Sequence, residues 1–163
     1  MSTVIRKATV DDARKLASLI KEIGWFDAFN TREIDELAAR VKERLQQCLA
    51  DGSHSTFVAE APGDEITGYG SVHWLPYLFM SGPEGYVSEL FVSASARGQG
   101  TGRELLKVIE SEARVRGCQR LSLTNLRDRE SYKRQFYLKA GPLPLISSVR
   151  SQKTLGHGRA DGS

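Results

Sequence analysis

Six residues, Arg97-Gly98-Gln99-Gly100-Thr101-Gly102, separate a β-rich run, Tyr86-Val87-Ser88-Glu89-Leu90-Phe91-Val92, from an apolar stripe at helical spacing, Leu105, Leu106, Ile109 and Ala113. A strand therefore feeds a glycine-rich loop that opens a helix. A helix start presents unpaired N–H groups and the positive end of the helix dipole. Glycines let the backbone approach an anion without a Cβ in the way. The combination is a cradle for phosphate or pyrophosphate, with Arg97 and Arg103 adding positive charge at its edges. Two common nucleotide readings fail. Counting G-x-G-x-x-G from Gly98 ends on Arg103, and from Gly100 it ends on Leu105. A P-loop needs Gly-Lys-Ser/Thr where this chain has Gly102-Arg103-Glu104.

The rest of the chain supplies a mixed pattern. Val4-Ile5-Arg6-Lys7-Ala8 reads as a first strand. Thr9 and Asp12 form a capping box for a helix carrying Ala13, Leu16, Ala17, Ile20 and Ile23, stopped by Gly24. Residues 24–30 read as irregular and aromatic. Thr31 is expected to cap a second helix with the stripe Ile34, Leu37, Ala38, Val41, Leu45 and Cys48, ended by Asp51-Gly52. Strands over 56–60 and 66–75 form a hairpin around Pro62-Gly63-Asp64, and 76–85 is a loop. After the glycine loop come a helix to about Arg116, a strand over 120–126, a helix over 131–140 stopped by Gly141-Pro142, and a strand over 146–155. The order β-α-α-β-β-β-α-β-α-β implies an α/β (mixed α+β) fold: a central mixed, mostly antiparallel sheet flanked by helices. Residues 1–156 read as a single domain and 157–163 as a frayed tail.

Composition excludes several classes. No apolar run approaches the roughly 18 residues of a membrane span, and the N-terminus lacks a signal-peptide core. The expectation is a cytoplasmic protein without a membrane partner. A net charge of +3 does not demand nucleic acid, and no nucleic-acid motif is present. Cys48 and Cys118 read as free thiols. His54, His73 and His157 read as unclustered, so no metal site is expected.

The run YVSELFVSASARGQGTGRELLKVIESEARVRGCQRLSLTN, with R-x-x-G-x-G read as Arg97, Gly100 and Gly102, resembles the coenzyme-A-binding core of the GNAT superfamily of N-acetyltransferases. The later Phe136-Tyr137-Leu138-Lys139-Ala140-Gly141 resembles that family's Phe-Tyr-x-Lys-x-Gly-Phe signature. The resemblance implies acetyl-CoA as cosubstrate, held through its pyrophosphate by the loop Arg97, Gly98, Gln99, Gly100, Thr101, Gly102 and Arg103. It implies that Leu90, Phe91 and Val92 pair with the pantetheine arm, with the Leu90 or Phe91 amide as an oxyanion donor. Glu89 is the candidate base, on a strand face expected by alternation to hold Val87, Glu89 and Phe91 together. Tyr137 is the candidate acid for the departing thiolate.

The chain departs from the family pattern in two places. Pro142 follows Gly141 where phenylalanine is expected, and Glu130 stands seven positions before Tyr137 where asparagine is common. The acceptor is expected to be a primary amine, of a polyamine, amino acid, aminoglycoside-like compound, peptide or protein lysine, attacking directly in a ternary complex. Trp25, Phe26, Phe29, Trp74, Tyr77, Phe79 and Met80 are candidates for its pocket, and Asp27, Glu33 and Glu84 for attracting its charge. A non-catalytic acyl-CoA-binding regulatory module is the alternative. The short final strand raises completion of the sheet by a second subunit, a homodimer, as a further expectation.

Overall fold

The computed structural model describes residues 2–24, 26–126 and 146–152. Its elements are β1 (Val4–Lys7), α1 (Ala13–Ile23), α2 (Asp27–Asn30), α3 (Ile34–Asp51), β2 (His54–Ala61), β3 (Glu65–Leu75), β4 (Glu84–Val92), α4 (Thr101–Val115), β5 (Arg120–Leu126) and β6 (Ile146–Gln152). Short 3-10 turns at Val10–Asp12 and Ala94–Ala96 precede α1 and α4. The helix expected at 131–140 lies outside the described residues.

The strands form one sheet in the order β1-β2-β3-β4-β5-β6. β1 through β4 pair antiparallel, then β4 with β5 and β5 with β6 pair parallel. Alternating side chains send apolar groups to both faces. Phe57, Val72, Trp74 and Leu121 pack under Leu105, Leu106 and Ile109 of α4. Val58, Ile66, Tyr69 and Phe91 pack on the other face against Leu16 and Leu19 of α1 and Leu45 of α3. Two cores thus share one sheet.

Gly68 and Gly70 on β3 leave room for their neighbours: a Cβ at 68 would stand 2.9 Å from the Phe91 carbonyl oxygen of β4, and one at 70 would stand 3.0 Å from Ile109 Cδ1 of α4. The helix ends follow the local chemistry, since Gly24 and Gly52 close α1 and α3 in the left-handed region at φ 75° and 65°. The cap expected at Thr31 is not there. Thr31 instead closes the short α2, and Glu33 precedes α3.

The entry to α1 is held by a charge cluster. The Asp12 carboxylate accepts from the Thr9 N–H at 2.8 Å, half of the capping box, and from both Arg6 guanidinium nitrogens at 2.8 Å. Arg6 also reaches Glu60 on β2. The Arg6 guanidinium outweighs burial and holds the Asp12 carboxyl below its usual range. Asp12→Asn is expected to cost about 1–3 kcal/mol at pH 7, as a buried charge-assisted contact does. Because the folded pKa is depressed, this contribution is complete above the unfolded aspartate value of about 3.9 and drains as pH falls through the folded one. Urea unfolding of both proteins should therefore show a gap at pH 7 that narrows below about pH 4.

Candidate active site

The loop before α4 has the geometry that its glycines require. Gly98 and Gly100 sit at φ 76° and 86°, a region in which side chains with a Cβ are strained. Gly100 is the residue before the first helical turn. Its carbonyl accepts the Glu104 N–H at 3.0 Å, which leaves the N–H groups of Thr101, Gly102 and Arg103 without an acceptor inside the helix. Gln99 and Gly100 are exposed, and Thr101 and Gly102 are buried against the sheet. The loop is tied to its own strand, since Arg97 Nε donates to the Val92 carbonyl at 3.4 Å and Gln99 Nε2 to the Ser95 carbonyl at 3.0 Å. Donors and a helix dipole therefore open beside the end of β4.

β4 itself loses one of its two partners along its length. It pairs in parallel with β5 only over Glu84–Val87 and Arg120–Leu123. Residues 88–92 keep β3 on one side, while the next stretch of β5, Thr124–Leu126, pairs with β6. The two strands therefore part after Val87, and among the described residues β5 does not pair with residues 88–92 of β4. Glu84 anchors the closed end. It is 1% exposed and its Oε1 lies 3.1 Å from Arg120 Nε. Burial pushes its carboxyl up, but hydrogen bonds from Ser122, Tyr77 and Arg120 prevail and hold it low. Glu84 is thus a structural ion-pair partner and not a surface group that attracts an amine.

At the point of parting, β4 carries a bulge. Ser71 faces Glu89 but the next residue, Val72, faces Val87, so Ser88 is an extra residue. Its consequence corrects the sequence reading, because Val87 points into the α4 core while Phe91 packs on the opposite face. Glu89, two residues from Phe91, shares the Phe91 face and not the Val87 face. Leu90 packs toward α4.

On the face that holds Glu89 lies a cleft of about 740 Å³ between α1, α3 and the sheet. Its helix wall is Leu16, Ile20, Val41 and Leu45 with Arg40 and Arg44, and Phe29 of α2 contributes to the edge. Its floor is polar: Thr56 and His54 on β2, Tyr69, Ser71 and His73 on β3, and Glu89. Glu89 is exposed to this opening, and its Oε1 accepts from the Tyr69 hydroxyl at 3.1 Å. Thr56 and Ser71 hydroxyls meet at 2.8 Å. Cys48 also lines the cleft, where burial, then the charges of Glu89 and Asp51, push its thiol up.

Several aromatic expectations divide here. Phe29 reaches the cleft and Phe26 stacks edge-on against Phe91 at 5.9 Å. Trp74 belongs to the α4 core on the far face, donating its indole N–H to Ser55 at 3.1 Å. Tyr77 and Phe79 stack on each other at 5.6 Å, and Phe79 is exposed. Trp25 and Tyr137 lie outside the described residues. Sequence reasoning missed the floor. His54 and His73 were expected to stand apart, yet they are cross-strand partners with ring centres 4.3 Å apart. Their 19-residue separation becomes contact only through the hairpin register. Among the described residues, no group of three His, Cys, Asp or Glu side chains stands together to hold a metal, and no helix is long and apolar enough to cross a membrane.

Comparison with known proteins agrees with this geometry. The family model described as the acetyltransferase (GNAT) family matches residues 18–141. The thialysine N-epsilon-acetyltransferase of Bos taurus is 30% identical over 135 residues, covering 76% of this chain and 74% of the relative. The aminoglycoside N(6')-acetyltransferase type 1 of Stenotrophomonas maltophilia is 31% identical over 122 residues, covering 72% of each. Among solved structures, a transcriptional regulator from Bacillus halodurans C-125 superimposes with a TM-score of 0.74 at 24% identity, covering 92% of this chain and 99% of that one. That likeness speaks for the fold.

The strained loop generates one prediction on its own. A Cβ at Gly100 would meet nothing within 4 Å, so Gly100→Val should fold. The left-handed φ should cost it about 1–2 kcal/mol, seen as a lower thermal midpoint with an unchanged circular dichroism spectrum.

Proposed function

This chain belongs to the acetyltransferase (GNAT) family and is an acetyltransferase acting on an amine; on that premise we propose that it moves the acetyl group of acetyl-CoA onto a primary amine by direct attack in a ternary complex. The observation that carries the reading is the junction of three features at one end of β4: a stretch of strand that β5 leaves, a helix start with free N–H donors, and a cleft holding Glu89 on the adjoining face.

Each feature has a task in the reaction. The Thr101, Gly102 and Arg103 amides, with the Gly98, Gln99 and Gly100 backbone around them and Arg97 and Arg103 at the edges, receive the coenzyme pyrophosphate. Leu90, Phe91 and Val92, in the stretch of β4 that β5 leaves, are proposed to run beside the pantetheine arm. A Leu90 or Phe91 amide then faces the thioester carbonyl and stabilises negative charge on its oxygen. An alkyl ammonium has a pKa near 10.4 and must lose a proton before its nitrogen can attack. Glu89 draws that cation into the cleft and takes up a proton. Tyr137 is proposed to protonate the thiolate that leaves.

The acceptor is a nitrogen compound small enough, at its reacting end, for a 740 Å³ cleft. The names of two relatives place acetyl groups on the ε nitrogen of thialysine and the 6' nitrogen of an aminoglycoside, which supports an amine on an extended or cyclic polar scaffold.

A panel of primary amines incubated with acetyl-CoA should release free thiol for at least one acceptor; a silent panel over all acceptor classes would count against turnover. With an active acceptor, Glu89→Gln should lower kcat/KM about 100-fold or more at neutral pH and leave acetyl-CoA affinity in place. Gly100→Val should do the reverse and weaken acetyl-CoA binding first. Tyr137→Phe should slow thiol release while binding is retained, and an unchanged turnover would remove Tyr137 from the mechanism.

A further inference from the structure

The acceptor nitrogen has two protons to lose. One leaves the ammonium before attack. The freed lone pair forms the C–N bond while the carbonyl π pair moves onto oxygen. The second proton then leaves the nitrogen of the adduct, and the C–S bond breaks with its electron pair on sulfur. Sulfur takes up one proton and solvent receives the other. Glu89 is one acceptor for two departures.

We propose that His73 is the second proton-accepting group of this reaction, working beside Glu89 on the floor of the cleft. The proposal rests on the acetyl-transfer reading above. Its ground is placement. Ser71 is the cross-strand partner of Glu89, and His73 lies two residues along on the same face, lining the same cleft. Its Nε2 stands 2.8 Å from the hydroxyl of Ser88, the bulge residue that turns Glu89 into the cleft. The same imidazole therefore touches the cleft and is bonded to the side chain of the residue that precedes Glu89.

The ring is suited to the task. Burial, then the neighbouring His54, lower its pKa from the usual imidazole value, which favours the neutral ring with a nitrogen able to accept. An imidazole also begins about two pKa units above a glutamate, which makes it the better match for an amine's proton. The titratable groups around it are His54 on β2, Tyr69 on β3, Tyr86 and Glu89 on β4, and Glu43, Arg44 and Cys48 on α3. Glu89 and Glu43 stabilise the imidazolium once it forms, and Arg44 and a charged His54 oppose it.

The test compares two acceptors in wild type and His73→Gln, whose amide can keep the bond to Ser88. One is an alkyl amine, protonated at pH 7; the other is an aromatic amine, uncharged at that pH and with a single proton to lose. His73→Gln should lower kcat/KM about 100-fold for the alkyl amine and no more than about 3-fold for the aromatic one. The alkyl-amine deficit should shrink as pH rises toward 10, and added imidazole should restore His73→Ala. Acetyl-CoA affinity, measured in parallel, reports that the variants fold. Equal losses with both amines, or no loss with either, would overturn the proposal while leaving the acetyltransferase reading intact. If wild type acetylates neither these amines nor any other, the acetyl-transfer reading falls and this one falls with it.

Discussion

The ion pair between buried Glu84 and the half-exposed Arg120, at the closed end of the β4–β5 pairing, joins two strands that part after Val87. A buried carboxylate is costly unless it is paired, and here Arg120 Nε stands 3.1 Å from its Oε1. Both strands are thereby pinned at one end, and beyond it they separate while β5 keeps its pairing with β6 and β4 its pairing with β3. In this fold the stretch beyond the parting adjoins a helix start whose first N–H groups have no acceptor within the helix.

The bulge at Ser88 gives the parted strand its second property. By shifting the alternation by one, it sends Val87 toward α4 and Glu89 into the cleft. The backbone between them is then flanked by a helix on one face and a carboxylate on the other. Gly68 and Gly70 complete this arrangement from β3, since a Cβ at 68 would crowd the Phe91 carbonyl of β4 and one at 70 would crowd Ile109 of α4.

What the sequence revealed depended on the range of each signal. The glycine loop was legible because left-handed glycines followed by an amphipathic stripe are a local pattern, and Gly98, Gly100 and the start at Thr101 all appear as such. The mostly antiparallel sheet and its hairpin were legible from period-two runs broken at Pro62-Gly63-Asp64. The face of Glu89 was not. Tyr86 to Val92 alternates without a mark at Ser88, because the bulge is set by pairing with β3, a partner remote in the chain. The same holds for His54 beside His73, whose contact depends on a hairpin register that itself shifts near Thr67. Glu84 looked like a loop carboxylate because burial by Arg120, 36 residues on, leaves no trace nearby.

The two cores that share this sheet have an evolutionary consequence. Residues under α4 and residues under α1 and α3 belong to separate packing clusters, and substitutions without shared partners add nearly independently. Lineages can therefore redraw the helical roof over the cleft, position by position, with little penalty to the helix that sits on the glycines of β3. Change in the roof over the cleft, with the opposite core left alone, is what such partitioned packing permits.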